Sequence, residues 1–221
     1  VSKGDLDVQI STRTNDEISI LTESFNTMVA SLHQSQKELL NAYDNTLEGW
    51  AKALELRDKE TEGHSERVMA LTIQLAAEMG FHGEVLANIR RGALLHDIGK
   101  MGIPDAILHK KGRLTEEEMI IVQDHPKFAY DMLKEIDYLQ AALEIPFCHH
   151  EKWDGTGYPR GLKEEEIPIA ARIFAIVDVW DAMTNDRPYR KAISREEVIS
   201  YLTNQSGQYF DPNVVDVFIR I

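Results

Sequence analysis

Ile169-Ala170-Ala171-Arg172-Ile173-Phe174-Ala175-Ile176-Val177-Asp178-Val179-Trp180-Asp181-Ala182-Met183 reads as one helix, apolar for most of its length, with two carboxylates near its end. Asp178 directly follows the apolar run Ile173 to Val177, and a buried carboxylate is costly without a partner. That partner is either a hydrogen-bond network or a metal ion. Outward from this segment the pattern stays helical from Glu60 onward. Helices are predicted at Thr61 to Met79, Gly83 to Leu95, Thr115 to Ile136, Tyr138 to Cys148, Arg195 to Asn204 and Pro212 to Ile221. Breaks are expected at Gly80, from Gly99 to Pro104, at Lys111-Gly112 and from Asp154 to Gly161. Strand alternation is almost absent. The predicted class is all-α, a helical bundle with its site between helices.

The chain of 221 residues is 43% hydrophobic and 28% charged, ordinary for a folded protein with a full core. Its formal net charge of −13 argues against a nucleic-acid polymer or an anionic membrane as partner. An anionic substrate must then be met by local positive charge, from metal ions or placed Lys and Arg. The single cysteine, Cys148, allows no internal disulfide and suits a reducing cytoplasm. No apolar run approaches the roughly 18 residues of a membrane span. The chain begins with Val and reads as a fragment of something longer.

The first 57 residues differ from the rest. Ile18, Leu21, Phe25, Met28 and Leu32 recur at spacings of a heptad seam, and Leu40, Tyr43, Leu47, Trp50 and Leu54 continue it in a shifted phase. The slip near Gln36 resembles a stutter. An amphipathic helix packed on its own domain would show a similar stripe, but the absence of Gly and Pro for some thirty residues favours a dimeric coiled coil, giving a homodimer through the N-terminal helix. Gly4-Asp5-Leu6, Asp16-Glu17-Ile18, Leu21 and Ser24-Phe25-Asn26-Thr27-Met28 resemble the second half of a HAMP linker. This resemblance implies an upstream sensor and membrane region, the chain being the cytoplasmic portion of an inner-membrane-anchored bacterial protein. The expected domains are therefore 1–57, a partial HAMP-like segment and signalling helix, and 58–221.

Five of the eight histidines keep unusual company: His96-Asp97, His125-Pro126, His149-His150, and His64 with Glu60 four residues before it. Asp178 has Asp181 three residues on. Residues four apart share a helix face, so Glu60 and His64 can converge on one point. Any one of these is usually a surface or core residue. Together they offer nitrogen and oxygen donors without thiolate, which favours iron or manganese over structural zinc. His33, His82 and His109 read as ordinary surface residues.

His64-Ser65-Glu66-Arg67 and His96-Asp97-Ile98-Gly99-Lys100 resemble the HD superfamily of metal phosphohydrolases. His149-His150-Glu151-Lys152-Trp153-Asp154-Gly155-Thr156-Gly157-Tyr158-Pro159 resembles its HD-GYP subfamily, and the likeness continues through Asp178, Asp181-Ala182-Met183, Arg187-Pro188-Tyr189-Arg190 and Phe210-Asp211-Pro212. It implies a phosphodiesterase that hydrolyses cyclic di-GMP to the linear dinucleotide pGpG or GMP, with some members acting on cyclic GMP-AMP. The implied metal ligands are His64, His96, Asp97, His125, His149, His150 and Asp178. Members with Glu at the position of Glu60 hold a third metal, so two or three divalent ions are expected, iron first and manganese second, with Asp97 bridging.

Two metals about 3.5–4 Å apart share a hydroxide that can attack phosphorus in line. Lys100 would steady the phosphate oxygens beside Asp97. Arg187 and Arg190 are assigned to the second phosphate or a guanine, with Lys191 a substitute for Arg190. Tyr158 either contacts the substrate or locks the glycine-rich loop. Asp154 ties that loop down. Asp181 is placed at the substrate side of the site, or behind a ligand histidine or water, and Arg67 pairs with a nearby carboxylate to support His64. The alternatives are an HD nucleotidase of other specificity, a catalytically silent receptor for the messenger, and a dimerisation fragment braced by metal.

Overall fold

The computed structural model describes residues 9–11, 17–58, 63–186 and 191–221. Ten α-helices are found among them: α1 Glu17–Asp58, α2 His64–Glu78, α3 Gly83–Leu94, α4 Asp105–Leu108, α5 Glu116–Gln123, α6 His125–Leu133, α7 Glu144–Cys148, α8 Ile169–Thr184, α9 Arg195–Asn204 and α10 Pro212–Phe218. Short 3-10 turns occur at Ile98–Gly102, Asp137–Ala142 and Glu164–Glu166. The described residues contain no strand, only an isolated bridge between Ser206 and Phe210. The all-α expectation holds.

The chain divides into two compact units, Val1–Thr46 and Leu47–Ile221. In the first, α1 carries the expected seam openly: Ile18, Leu21, Met28 and Leu32 are all exposed. Asn26 grips Ile10 at two points, its amide donating to the Ile10 carbonyl at 2.8 Å and its Oδ1 accepting the Ile10 N–H at 3.0 Å.

In the second unit α1 changes partners. Leu47, Ala51 and Leu54 are buried and Trp50 is exposed. The seam expected through Leu47, Trp50 and Leu54 is thus corrected to one through Ala51, because the i, i+4, i+7 face packs within its own domain. The main core is built on α8, whose Ile173, Phe174, Ile176 and Val177 are wholly enclosed. Val68, Leu75 and Ala76 of α2, Val198 and Leu202 of α9, and Val214, Val215 and Phe218 of α10 surround them. Each fully buried large aliphatic or aromatic side chain contributes about 1.5–3 kcal/mol. A second cluster of Leu47, Leu95, Ile98, Ala129, Leu133, Leu139 and Leu143 joins α1, the first 3-10 turn and α6.

Three helix predictions need correction, and proline accounts for two. The helix predicted over Thr115–Ile136 is two helices meeting at Asp124, since Pro126 stands in the first turn of α6 and cannot donate to a continuing helix. Thr115 starts α5 with a reciprocal capping box to Glu118. The helix predicted over Tyr138–Cys148 is a 3-10 turn followed by α7, which carries Pro146 within its first turn. The last helix ends at Phe218 rather than Ile221. The break expected from Gly99 is instead the first 3-10 turn, followed by α4.

That turn lies directly on α6. A Cβ on Gly99 would sit 1.8 Å from the carbonyl oxygen of His125 and 2.6 Å from the amide nitrogen of Ala129. Both obstacles are backbone, so neither can rotate away. Gly49, by contrast, has nothing within 4 Å of its would-be Cβ. Gly99→Ala is therefore expected to lower unfolding stability by about 2–4 kcal/mol. Gly49→Ala should raise it by about 0.5–1 kcal/mol through helix propensity. Denaturant titration of the two variants against the parent chain checks both signs.

Candidate metal centre

Six side chains meet in two groups. The ligand atoms of His64, His96 and Asp178 all lie within 4.8 Å of one another, and so do those of His125, His149 and His150. Helix ends supply most of them. His64 opens α2, His125 opens α6, His149 caps the end of α7 and His96 follows α3. Placement at helix ends lets adjacent residues such as His149 and His150 serve one point, which a regular helix face forbids. Asp178 is the exception, projecting from mid-α8 one turn beyond Phe174. The Phe174 ring forms the floor, 4.7 Å from the His96 ring centroid and 5.9 Å from that of His149.

Asp97 stands between the groups. Its Oδ2 lies 3.1 Å from His96 Nε2, and its Oδ1 lies 3.3 Å from His125 Nε2 and 3.9 Å from His149 Nε2. Each oxygen thus faces a different group.

The tautomers follow from the backbone. His96 Nδ1 meets the carbonyl of Ala93 at 2.9 Å, His125 Nδ1 that of Val122 at 2.8 Å, and His149 Nδ1 that of Ile145 at 3.0 Å. A carbonyl only accepts, so each Nδ1 carries the proton and each neutral ring turns an Nε2 lone pair inward. His64 obeys the same rule with a carboxylate: its Nδ1 donates to Asp181 Oδ2 at 2.7 Å, and its Nε2 lies 3.6 Å from Asp178 Oδ1. Burial, aided by neighbouring imidazoles, holds His149 well below its ordinary range and His150 down to about 3. Burial likewise lowers His125. These rings are neutral at pH 7, the form that binds metal.

His125 Nε2 and His149 Nε2 are 3.3 Å apart. Two inward lone pairs at that distance, beside a carboxylate oxygen, repel unless a cation lies among them. Burial alone would raise the Asp97 carboxyl, but the adjacent Lys100 ammonium outweighs it and holds Asp97 well below the usual carboxylate range. The donor set therefore fits divalent metal ions: neutral imidazoles, carboxylates and a central anion with an oxygen for each side.

The remaining sequence-predicted residues fall as follows. Lys100 Nζ lies 2.7 Å from Asp97 Oδ2 and 2.6 Å from Asp58 Oδ2. The Tyr158 ring packs 4.7 Å from that of His150, and burial raises its phenol so that it stays protonated. Asp181 is buried beside His64. Its oxygens accept from His64, from Arg67 Nε at 2.6 Å and from Asn185 at 2.9 Å. Asp154 accepts from the backbone and hydroxyl of Thr156, closing a tight turn. Glu60, Arg187 and Arg190 lie outside the described residues.

Sequence reasoning passed over Glu151, Asp58 and Arg57. Buried Glu151 accepts the N–H groups of Arg160 at 2.7 Å and Leu162 at 3.0 Å, anchoring the loop that carries Tyr158. Its place next to His150 was the available signal. Asp58 and Arg57 gave none, because their partners are some forty residues away in sequence.

Residues 48–214 match the HD domain family, and residues 1–34 match the HAMP domain. A cyclic di-GMP phosphodiesterase of Thermotoga maritima is 41% identical, over 86% of this chain and 53% of its own length. A 3'3'-cGAMP-specific phosphodiesterase 2 of Vibrio cholerae is 37% identical, over 92% of this chain and 38% of its own. Among solved structures, a cyclic GMP-AMP specific phosphodiesterase from Vibrio cholerae superposes with a TM-score of 0.61 at 19% identity, covering 79% of this chain and 47% of that one. The chain spans about half the length of the first curated relatives it matches. The HD domain match extends over most of the chain, and the chain belongs to the HD domain family.

Proposed function

We propose that this chain is the hydrolytic portion of a metal-dependent phosphodiesterase that cleaves cyclic di-GMP to pGpG or GMP. The observation that carries the reading is Asp97, with one carboxylate oxygen toward each of two histidine groups. His64, His96 and Asp178 would hold one ion and His125, His149 and His150 another, Asp97 serving both. Glu60 would add a third, and iron or manganese suits the donors. When bound, the ions supply Lewis acidity, activating water and neutralising phosphate charge.

The chain's own groups do the rest. Lys100 brings a positive charge to the edge of Asp97, where a phosphate oxygen can be held. Tyr158 keeps its proton and can donate to substrate. Arg187 and Arg190 are assigned to the second phosphate or a guanine. Asp181 and Arg67 fix the His64 ring. The acidic surface and an anionic substrate are then compatible, because bound metal ions would make the site locally cationic. Residues 1–57 would relay an input from a sensor region through a dimeric helix, and 58–221 would carry the reaction. The HAMP match supports a membrane-anchored sensor, and no described helix is long and apolar enough to cross a membrane. A second reading, cleavage of 3',3'-cyclic GMP-AMP, is favoured by the 37% identical relative of that specificity.

The test is turnover of both cyclic dinucleotides by protein loaded anaerobically with ferrous iron or manganese. Cyclic di-GMP should be hydrolysed faster, a chelator should abolish the activity, and Asp97→Ala should lower it by about 10³-fold or more. Absence of hydrolysis at full metal loading, with the messenger still bound, would replace the enzyme by a receptor. Glu151→Ala, which frees the loop beneath Tyr158, should raise KM by about 10-fold and change bound-metal content little; equilibrium dialysis beside initial-rate kinetics measures both.

A further inference from the structure

The last turn of α1 reaches both segments that carry the central groups. α2 begins with His64, but the residue before it, Gly63, has no side chain to cap the helix. The first N–H groups of a helix lack internal partners. Glu55 of α1 supplies one, its Oε1 accepting the Ser65 N–H at 2.8 Å.

Two residues further along α1, Arg57 treats the opposite kind of end. Its guanidinium donates to the carbonyl of Lys100 at 3.1 Å and to that of Ile103 at 2.7 Å, and it pairs with Asp105 at 2.9 Å. Those carbonyls close the 3-10 turn that starts beyond Asp97 and contains Lys100. A planar guanidinium spanning two carbonyls and a carboxylate fixes orientation as well as distance. Asp58, next in the chain, holds the Lys100 ammonium itself at 2.6 Å.

One helical turn therefore caps the start of α2 and the end of the Asp97 turn together. His64 belongs to one group of candidate ligands and Asp97 is shared by both, so their separation governs whether the two groups can be filled at once. We infer that Glu55 and Arg57 are positioning residues that set the spacing between His64 and Asp97 and thereby tune metal affinity and turnover. Displacement of α1 would then alter the metal centre without any change in its ligands. This inference rests on the metal-dependent reading given under Proposed function.

The test uses the whole chain in four variants, Glu55→Ala, Glu55→Gln, Arg57→Gln and Arg57→Lys. Mn2+ affinity is read by calorimetry, coupling between the bound ions by electron paramagnetic resonance, and folding by thermal melting without metal. Glu55→Ala and Arg57→Gln should each weaken Mn2+ binding by about 10–100-fold. Glu55→Gln should recover most of the loss, because its amide oxygen still accepts the Ser65 N–H, and Arg57→Lys should fall between. Turnover at saturating Mn2+ should lose kcat with little change in KM. Affinities within twofold of the parent in folded Glu55→Ala and Arg57→Gln would overturn the inference, as would losses equal in Glu55→Gln and Glu55→Ala. Should the Glu55→Ala or Arg57→Gln variant fail to fold, Arg57→Lys carries the comparison: an intermediate loss in Mn2+ affinity supports the inference and parental affinity overturns it. Should the parent bind Mn2+ but cleave no cyclic dinucleotide, the phosphodiesterase reading fails, and the positioning claim is still decided by Mn2+ affinity.

Discussion

A nearly buried carboxylate, Asp97, lies among imidazole rings whose inward nitrogens carry lone pairs rather than protons. Left alone, that arrangement is electrostatically unfavourable, since electron-rich atoms crowd into a space with little water to separate them. The surrounding structure forces it nonetheless. Backbone carbonyls of Ala93, Val122 and Ile145 take the outer ring protons, and the bare surface of Gly99 lets the Asp97 turn lie against α6. Packing of α8 against α2, α7, α9 and α10 supplies the rigidity that such crowding demands. The fold thus holds together groups that, in a looser chain, would turn outward to water.

Much of this was legible before any coordinates. The histidine pairs and Asp97 were identifiable from their unusual company, and Asp178 from its place directly after a buried apolar run, where a carboxylate needs a partner. Helix existence was readable from apolar periodicity. What escaped had particular causes. Pro126 and Pro146 lie within continuous helical periodicity, which hides the helix starts they mark, so periodicity alone predicts two helices longer than those found. The switch from Trp50 to Ala51 in the α1 stripe depends on which neighbour the helix meets, and periodicity alone does not name it. Glu55, Arg57 and Asp58 looked like an ordinary charged helix end, because their partners are distant in sequence. Asp181 was recognised as important, but whether it faced the substrate or backed His64 turned on a rotamer.

The protein's charge balance also becomes intelligible. A net charge of −13 is an unpromising surface for an anionic ligand. Yet the residues that matter are shielded from that surface: Lys100 is tucked between Asp58 and Asp97, and the imidazoles are enclosed. Electrostatic control is local, set within a few ångströms of Asp97. The same locality makes the end of α1 consequential, since a small movement there acts on short, directional contacts rather than on a diffuse field.

The account stands or falls on whether Asp97 joins two ions. Anomalous diffraction at the manganese or iron edge, from crystals of the metal-loaded chain, addresses this directly. The account predicts a strong peak in each histidine group, both within about 2.0–2.3 Å of an Asp97 oxygen, the usual reach of a carboxylate ligand. A single peak, or two peaks of which one lies beyond bonding distance of Asp97, would contradict it.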